Sequence, residues 1–149
     1  MKEIERKFLI KIFPSIKNKK YNDNERFFLK TNNDNIEERI YKNNNKYFHE
    51  KKVNISIYER KKGKSEINKF EFLELKNRII WKTSRRTYYI QKSPKITLQV
   101  YKWKFKWLIR VEVEFNSINE CSIFKPLYWM WKEITWSFIS RDIKLIKNT

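Results

Sequence analysis

Two segments far apart in the chain alternate charged and apolar residues with a period of two. They are Glu3-Ile4-Glu5-Arg6-Lys7-Phe8 near the start and Arg110-Val111-Glu112-Val113-Glu114-Phe115 more than a hundred residues later. A β-strand sends successive side chains to opposite faces. Glu3, Glu5 and Lys7 therefore share one face of the first segment, and Arg110, Glu112 and Glu114 share one face of the second. An isolated half-buried strand turns such a face to water. Two strands that each carry a Glu-x-Glu pair raise a second arrangement, in which both ionic faces line one interior.

Other features bound the fold and the chemistry. A length of 149 residues suits a single domain able to bury a core without staples. One cysteine, Cys121, forms no internal disulfide, and one histidine, His49, argues against a zinc site, so a reducing, cytoplasmic setting is expected. The apolar run from Phe8 to Phe13 is broken by Lys11 and is too short for a signal peptide or a membrane span. A formal net charge of +18 attracts polyanions such as nucleotides, polyphosphate and nucleic acid. Part of that basicity fits a coding bias, because Lys, Asn and Ile abound while Ala is absent and Gly occurs once.

Asn/Lys-rich stretches at 17–24, 31–35 and 43–46 read as loops. Asn68 and Ser117 each precede a Glu by three residues, which predicts capped helices over 69–76 and 118–124. The remaining apolar runs, 27–29, 53–57, 87–90 and 96–101, have strand composition. The chain is thus expected to be α+β and dominated by antiparallel strands.

The opening Glu3-Ile4-Glu5-Arg6-Lys7 resembles the E-x-E-x-K signature of the CYTH superfamily, the triphosphate tunnel metalloenzymes, and is closest to the short bacterial tripolyphosphatase type. The segment from Lys82 to Ile90 is similar to the family's K-x-R strand, 98–101 to its D-x-F strand, 111–115 to its E-V-E-F strand, and 126–135 to its P-x-W-x-G-x-E-I-T segment. The resemblance covers almost the whole chain as a single CYTH-like domain, 1–149. It implies an eight-stranded antiparallel β-barrel forming a tunnel, with helices packed outside.

Within such a tunnel Glu3, Glu5, Glu112 and Glu114 would converge. Carboxylates about 4 Å apart repel by about 4 kcal/mol at an effective dielectric of about 20, so they must take up protons or cations. Oxygen-only ligands select hard ions, here Mg²⁺ or Mn²⁺. The resemblance places Lys7, Arg39, Lys52, Lys82, Arg86 and Arg110 on a triphosphate, with Lys82 acting in catalysis; Arg86 is preferred to Arg85 because it shares the parity of Lys82. The implied reaction is metal-assisted hydrolysis of a small-molecule triphosphate, inorganic or organic, by a monomer or homodimer. A catalytically altered polyanion-binding protein and a class IV adenylate cyclase are the alternatives. Nucleic acid is a weaker partner, since no recognised binding motif accompanies the charge.

Several family positions differ. Tyr41 replaces the second arginine of an R-x-R strand, Lys61 falls where an R-x-E-x-E strand is expected, and Gln99 replaces an acid. The family's R-Y-x-N element reads Phe138-Ile139-Ser140-Arg141-Asp142. Trp103, Trp107 and Trp131 stand where related sequences have Gly, as if UGA codons that the source reads as Gly had been translated as Trp.

Overall fold

The computed structural model describes residues 1–148. Nine strands form one antiparallel sheet: β1 (Lys2–Ile10), β2 (Tyr21–Leu29), β3 (Ile36–Asn43), β4 (Lys46–Asn54), β5 (Glu59–Ile67), β6 (Ile79–Gln91), β7 (Lys95–Tyr101), β8 (Ile109–Phe115) and β9 (Met130–Glu133). The order is β5-β4-β3-β2-β6-β7-β8-β1-β9, and the additional pairing of β5 with β1 closes the first eight into a barrel. β1 makes this closure by dividing one edge. Lys2 to Ile4 pair with β5, and Phe8 and Ile10 pair with β9, while the other edge pairs continuously with β8.

The alternation of charge decides which way each wall faces. Charged side chains occupy the inner face, so the apolar core lies outside the barrel, between the sheet and its covering segments. Phe8, Ile96, Leu98, Val111 and Val113 pack under Cys121, Trp129 and Met130. Leu29 and Ile40 pack beneath Phe72 of α1 (Lys69–Leu75). Burying each large apolar side chain contributes roughly 1.5–3 kcal/mol, enough for several such clusters to offset a costly ionic interior. Arg6, which faces outward, ties the E-x-E strand to the covering layer. Its guanidinium donates to the Glu133 carboxylate and to the carbonyls of Cys121 and Phe124. Thr135 then accepts the Lys7 backbone N–H at 3.0 Å.

Both predicted helices form, as α1 and as α2 (Ile118–Ile123), with Asn68 and Ser117 accepting the Glu71 and Glu120 N–H groups. The return bond of Glu120 goes to the Asn116 N–H rather than to the cap residue itself. Two expectations need correction. Tyr21 to Asn24, expected in a loop, belong to β2 because they pair with 85–88 of β6. Ile55 to Ile57 leave the sheet, since the Glu59 N–H donates to Ser56 Oγ and turns the chain. A third helix, α3 (Asp142–Lys147), closes one end of the barrel, where Leu145 packs against Tyr101, Phe105 and Leu108.

Trp103 has φ of 57°. That left-handed backbone costs an L-residue with Cβ about 1–2 kcal/mol and suits glycine. Trp107 and Trp131 are exposed and have no positive φ, so the backbone argument for glycine holds at Trp103 alone among the three. Trp103→Gly is expected to raise the melting temperature, although Lys82 Nζ loses the ring that it sits 4.3 Å from. An exposed cation–π contact is worth only about 0.5–1 kcal/mol. A lowered melting temperature would show that the indole packing outweighs the strain.

Candidate functional site

The inner faces of the eight strands enclose a cavity of about 220 Å³. Eleven Lys or Arg side chains and six carboxylates line it, together with Asn, Thr, Tyr and Gln. It is closed at one end by the segment leading into α3, where Lys7 Nζ and Arg110 donate to the Ser140 carbonyl at 2.8 and 2.9 Å. Exposed Asn22, Lys64, Tyr89 and Lys95 mark the open end.

β1 and β8 run antiparallel with Glu5 opposite Glu114 and Lys7 opposite Glu112. The first pairing sets like charges face to face, which destabilises a sheet unless something neutralises them. Glu3, Glu5, Glu112 and Glu114 each place one carboxylate oxygen within 4.8 Å of the others. Burial, with Glu5 and Glu112 adding to it, raises the Glu3 carboxyl against the opposing pull of Lys52. Burial and Glu112 push Glu114 up to about 7. Burial also acts on Glu5, but Lys7, Arg60 and Lys52 outweigh it and hold that group well below the usual range. Glu112 feels burial and Glu5, yet Lys7, Lys52 and Arg85 bring it to about 2. Glu3 Oε2 and Glu5 Oε2 are buried without a hydrogen-bond donor. Buried carboxylate oxygens without donors, in an oxygen-only set, fit a hard divalent cation.

The other buried carboxylates are already neutralised. Glu50 is bonded by Arg39, and Lys52 and Lys62 stand 3.9 Å away. Glu37 lies 3.6 Å from Arg39 and 3.4 Å from Arg60. Burial would raise both groups, but these cations bring each to about 2. Asp142 receives Arg26, Arg110 at 2.9 Å and the Tyr101 hydroxyl at 2.6 Å. Against this, Arg85 makes no ion pair among the described residues. Its Nη1 donates to the Tyr101 hydroxyl at 3.1 Å, and its Nε is buried without a partner.

No family model and no curated protein matches the sequence. Solved structures do match. The inorganic triphosphatase NE1496 is 25% identical over 96% of this chain and 93% of its own, with a TM-score of 0.67; a second structure of NE1496 gives the same identity and score. The PH1012 protein of Pyrococcus horikoshii shares the fold at 18% identity and a TM-score of 0.62, over 79% of this chain and 82% of its own. The closed eight-stranded barrel with its paired Glu-x-Glu strands is the tunnel that the sequence resemblance implies, and its likeness to that triphosphatase runs over nearly the full length of both chains. The chain resembles the tunnel proteins of the CYTH superfamily, as its motifs imply.

Of the residues expected in the tunnel, Glu3, Glu5, Lys7, Arg39, Lys52, Arg110, Glu112 and Glu114 do face its interior or border it. Several of the cations are committed. Lys7 stands 3.0 Å from Glu5, Lys52 3.0 Å from Glu3, and Arg110 is fully engaged by Gln99, Tyr101 and Asp142. Lys82 and Arg86 are misplaced by the sequence reading. Both lie on the outer face, Lys82 exposed over Trp103 and Arg86 paired with Asp23 at 2.8 Å. β6 presents Thr83, Arg85, Thr87 and Tyr89 inward, so Arg85 takes the place expected of Arg86.

The altered positions also move. Lys61 is exposed outside, and Lys62 and Lys64 are the inward residues that follow Arg60 on β5. Gln99 bridges Arg110 Nε to Glu112, donating to Glu112 Oε2 at 3.0 Å, where a carboxylate would only repel it. Tyr41 donates to Glu50 at 3.3 Å. Arg26, Glu37, Glu50, Arg60 and Asp142 were missed, although Glu37-x-Arg39 and Glu50-x-Lys52 carry the same two-residue spacing as the Glu-x-Glu pairs.

Glu114 gives the metal-free tunnel a testable pH dependence. Its folded value of about 7 lies above the ordinary 4.5, so the folded state holds the proton more tightly. That contribution is full below about pH 4.5 and is lost as pH rises through 7. Glu37 and Glu50 act oppositely, their contribution vanishing as pH falls from 4.5 towards 2. Added Mg²⁺ or Mn²⁺ should therefore raise the melting temperature by an amount that grows between pH 4.5 and 7. A metal shift that is flat across this range, read by calorimetry, would count against the cluster as the metal site.

Proposed function

We propose that this tunnel is of the CYTH type and hydrolyses a linear triphosphate with a divalent cation, Mg²⁺ or Mn²⁺, held by Glu3, Glu5, Glu112 and Glu114. The observation that carries the reading is the cluster of four carboxylates with two donorless buried oxygens, in a cavity whose wall also presents the unpaired Arg85. The likeness to the inorganic triphosphatase NE1496 supports it. The bound cation would offset the carboxylate charge and draw electron density from a phosphate oxygen.

The chain's own groups do the rest. Arg85 offers a forked donor to phosphate oxygens, and its positive charge opposes the negative charge that develops as the phosphoanhydride breaks. Gln99 and Arg110 fix the orientation of Glu112 through the hydrogen-bond relay between them. Glu37 and Glu50 hold Arg39 and Arg60 in place, so the cationic wall is set before substrate arrives. The segment around Ser140 stops the tunnel at one end and limits the water that can enter.

Tripolyphosphate with Mg²⁺ or Mn²⁺ should release phosphate, and EDTA should abolish release. No turnover of tripolyphosphate, ATP or thiamine triphosphate with either metal would refute the proposal. Cyclic AMP formed from ATP would instead identify a cyclase. One observation favours a second reading, non-catalytic polyanion binding: Lys62 and Lys64 point inward where acids were expected. That reading predicts thermal stabilisation by tripolyphosphate without any metal.

A further inference from the structure

The tunnel leaves most of the chain's basic surplus unused. Its eleven cations face six carboxylates, whereas the whole chain carries a net charge of +18. Part of the remainder gathers on the outer wall beside β9, where two loops lie together. The Lys11 and Ile12 N–H groups donate to the Trp129 carbonyl at 2.8 and 3.3 Å, which sets the start of segment 11–20 against segment 124–129. Neither loop holds an acidic residue, since none occurs from 7 to 22 and none between Glu120 and Glu133. The two flanking acids are engaged, Glu120 by the Asn116 N–H and Glu133 by Arg6. Lys11, Lys17 and Lys125 are exposed and have no ion pair among the described residues.

Large apolar side chains stand out from the same wall. Ile12 is 54% exposed, Ile123 66% and Tyr128 82%, with Phe13 and Leu127 exposed beside them. The core beneath is already filled by Phe8, Phe124 and Trp129, so these side chains have no place in it. Apolar surface gathered in this way marks an interaction site. The face keeps this character without Trp131, one of the three tryptophans at family glycine positions. A second copy of the chain would bring the same lysines face to face across a two-fold axis, against the repulsion of two strongly basic molecules. Nucleic acid would satisfy the lysines and leave Ile12, Ile123 and Leu127 without an apolar partner. An anionic bilayer satisfies both, because aliphatic and aromatic side chains enter the headgroup boundary while lysines meet lipid phosphates. We infer that this wall is a peripheral docking face for an anionic membrane surface, with Ile12, Phe13, Leu127 and Tyr128 inserted and Lys11, Lys17 and Lys125 on the headgroups. The face lies outside the barrel, so the inference is independent of the reaction in the tunnel.

The test is co-sedimentation of the full chain with vesicles of phosphatidylcholine alone and of phosphatidylcholine containing roughly a third phosphatidylserine. Wild type should sediment with the anionic vesicles, stay in solution with the neutral ones, and be released as salt is raised. Ile12→Ser/Tyr128→Ser removes two apolar side chains that are more than half exposed, and Lys11→Gln/Lys125→Gln removes two charges. Each pair should weaken binding to the anionic vesicles by about tenfold or more with an unchanged melting temperature. Lys42→Gln/Lys51→Gln removes the same net charge from the outer faces of β3 and β4, across the barrel, and should keep wild-type binding. Wild type that ignores the anionic vesicles would overturn the inference. So would a control pair that loses as much as Lys11→Gln/Lys125→Gln, because binding would then follow net charge alone. A lipid-free dimer abolished by Ile12→Ser/Tyr128→Ser would assign the face to a second copy instead. Binding of single-stranded RNA that depends on Lys11 and Lys125, without vesicle binding, would assign it to nucleic acid.

Discussion

Glu114→Gln is expected to lower metal-dependent phosphate release by about 10²-fold or more while the protein stays folded. Glutamine keeps the volume and one oxygen but removes the anionic ligand. Glu114 is the cluster member for which this is cleanest, because burial and Glu112 hold its carboxyl at about 7, so its negative charge burdens the metal-free fold. The same substitution should therefore raise the metal-free melting temperature at pH 7 and blunt the shift produced by added Mg²⁺. Glu5→Gln should lose as much activity but at a cost in stability. Its carboxylate stands 3.0 Å from Lys7 and 3.4 Å from Arg60, and breaking a buried pair leaves charge uncompensated, at about 3–5 kcal/mol. Full activity with an unchanged metal requirement in Glu114→Gln would remove this residue from the metal site.

Arg85→Ala should cost on the order of 10²- to 10³-fold in turnover, the scale seen when a preorganised donor to developing charge is deleted. Arg85 has no carboxylate partner to strand, so a large loss of stability is not expected. Arg85→Lys, which keeps the charge and loses the fork, should fall between. Lys82→Ala and Arg86→Ala serve as controls on the same strand and should stay close to wild type, since both side chains lie outside the barrel. If Lys82→Ala rather than Arg85→Ala abolished turnover, the facing of β6 described above would be wrong.

The contrast between those two predictions shows why parts of the site were legible in the sequence and parts were not. In β1 and β8 most of one face is apolar, and the outer faces of Phe8, Val111 and Val113 must be buried. A one-residue slip would expose them, so the pattern alone settles which side Glu3, Glu5, Glu112 and Glu114 take. β6 has no such contrast. Thr83, Arg85 and Thr87 on one face and Lys82, Ser84 and Arg86 on the other are similarly polar, so no burial term selects between them. The strand's pairing with β2 and β7 does, and both ladders carry a register shift.

By itself the sequence determined the strand-rich class, the two capped helices, the acidic residues that share one face of each Glu-x-Glu strand and the basic surplus, because each follows from local periodicity, local capping or charge. That the four acids converge followed only from the family resemblance and the closed barrel. Tertiary structure decided which cations remain available. Arg39, Lys52 and Arg110 face inward as expected, yet Glu50, Glu3 and Asp142 already hold them. Asp142 reaches Arg26 and Arg110 only because α3 closes one end of the barrel, a contact between residues more than thirty positions apart. Whether a buried charge is free or paired depends on partners brought by other strands, and no spacing within one segment carries that information.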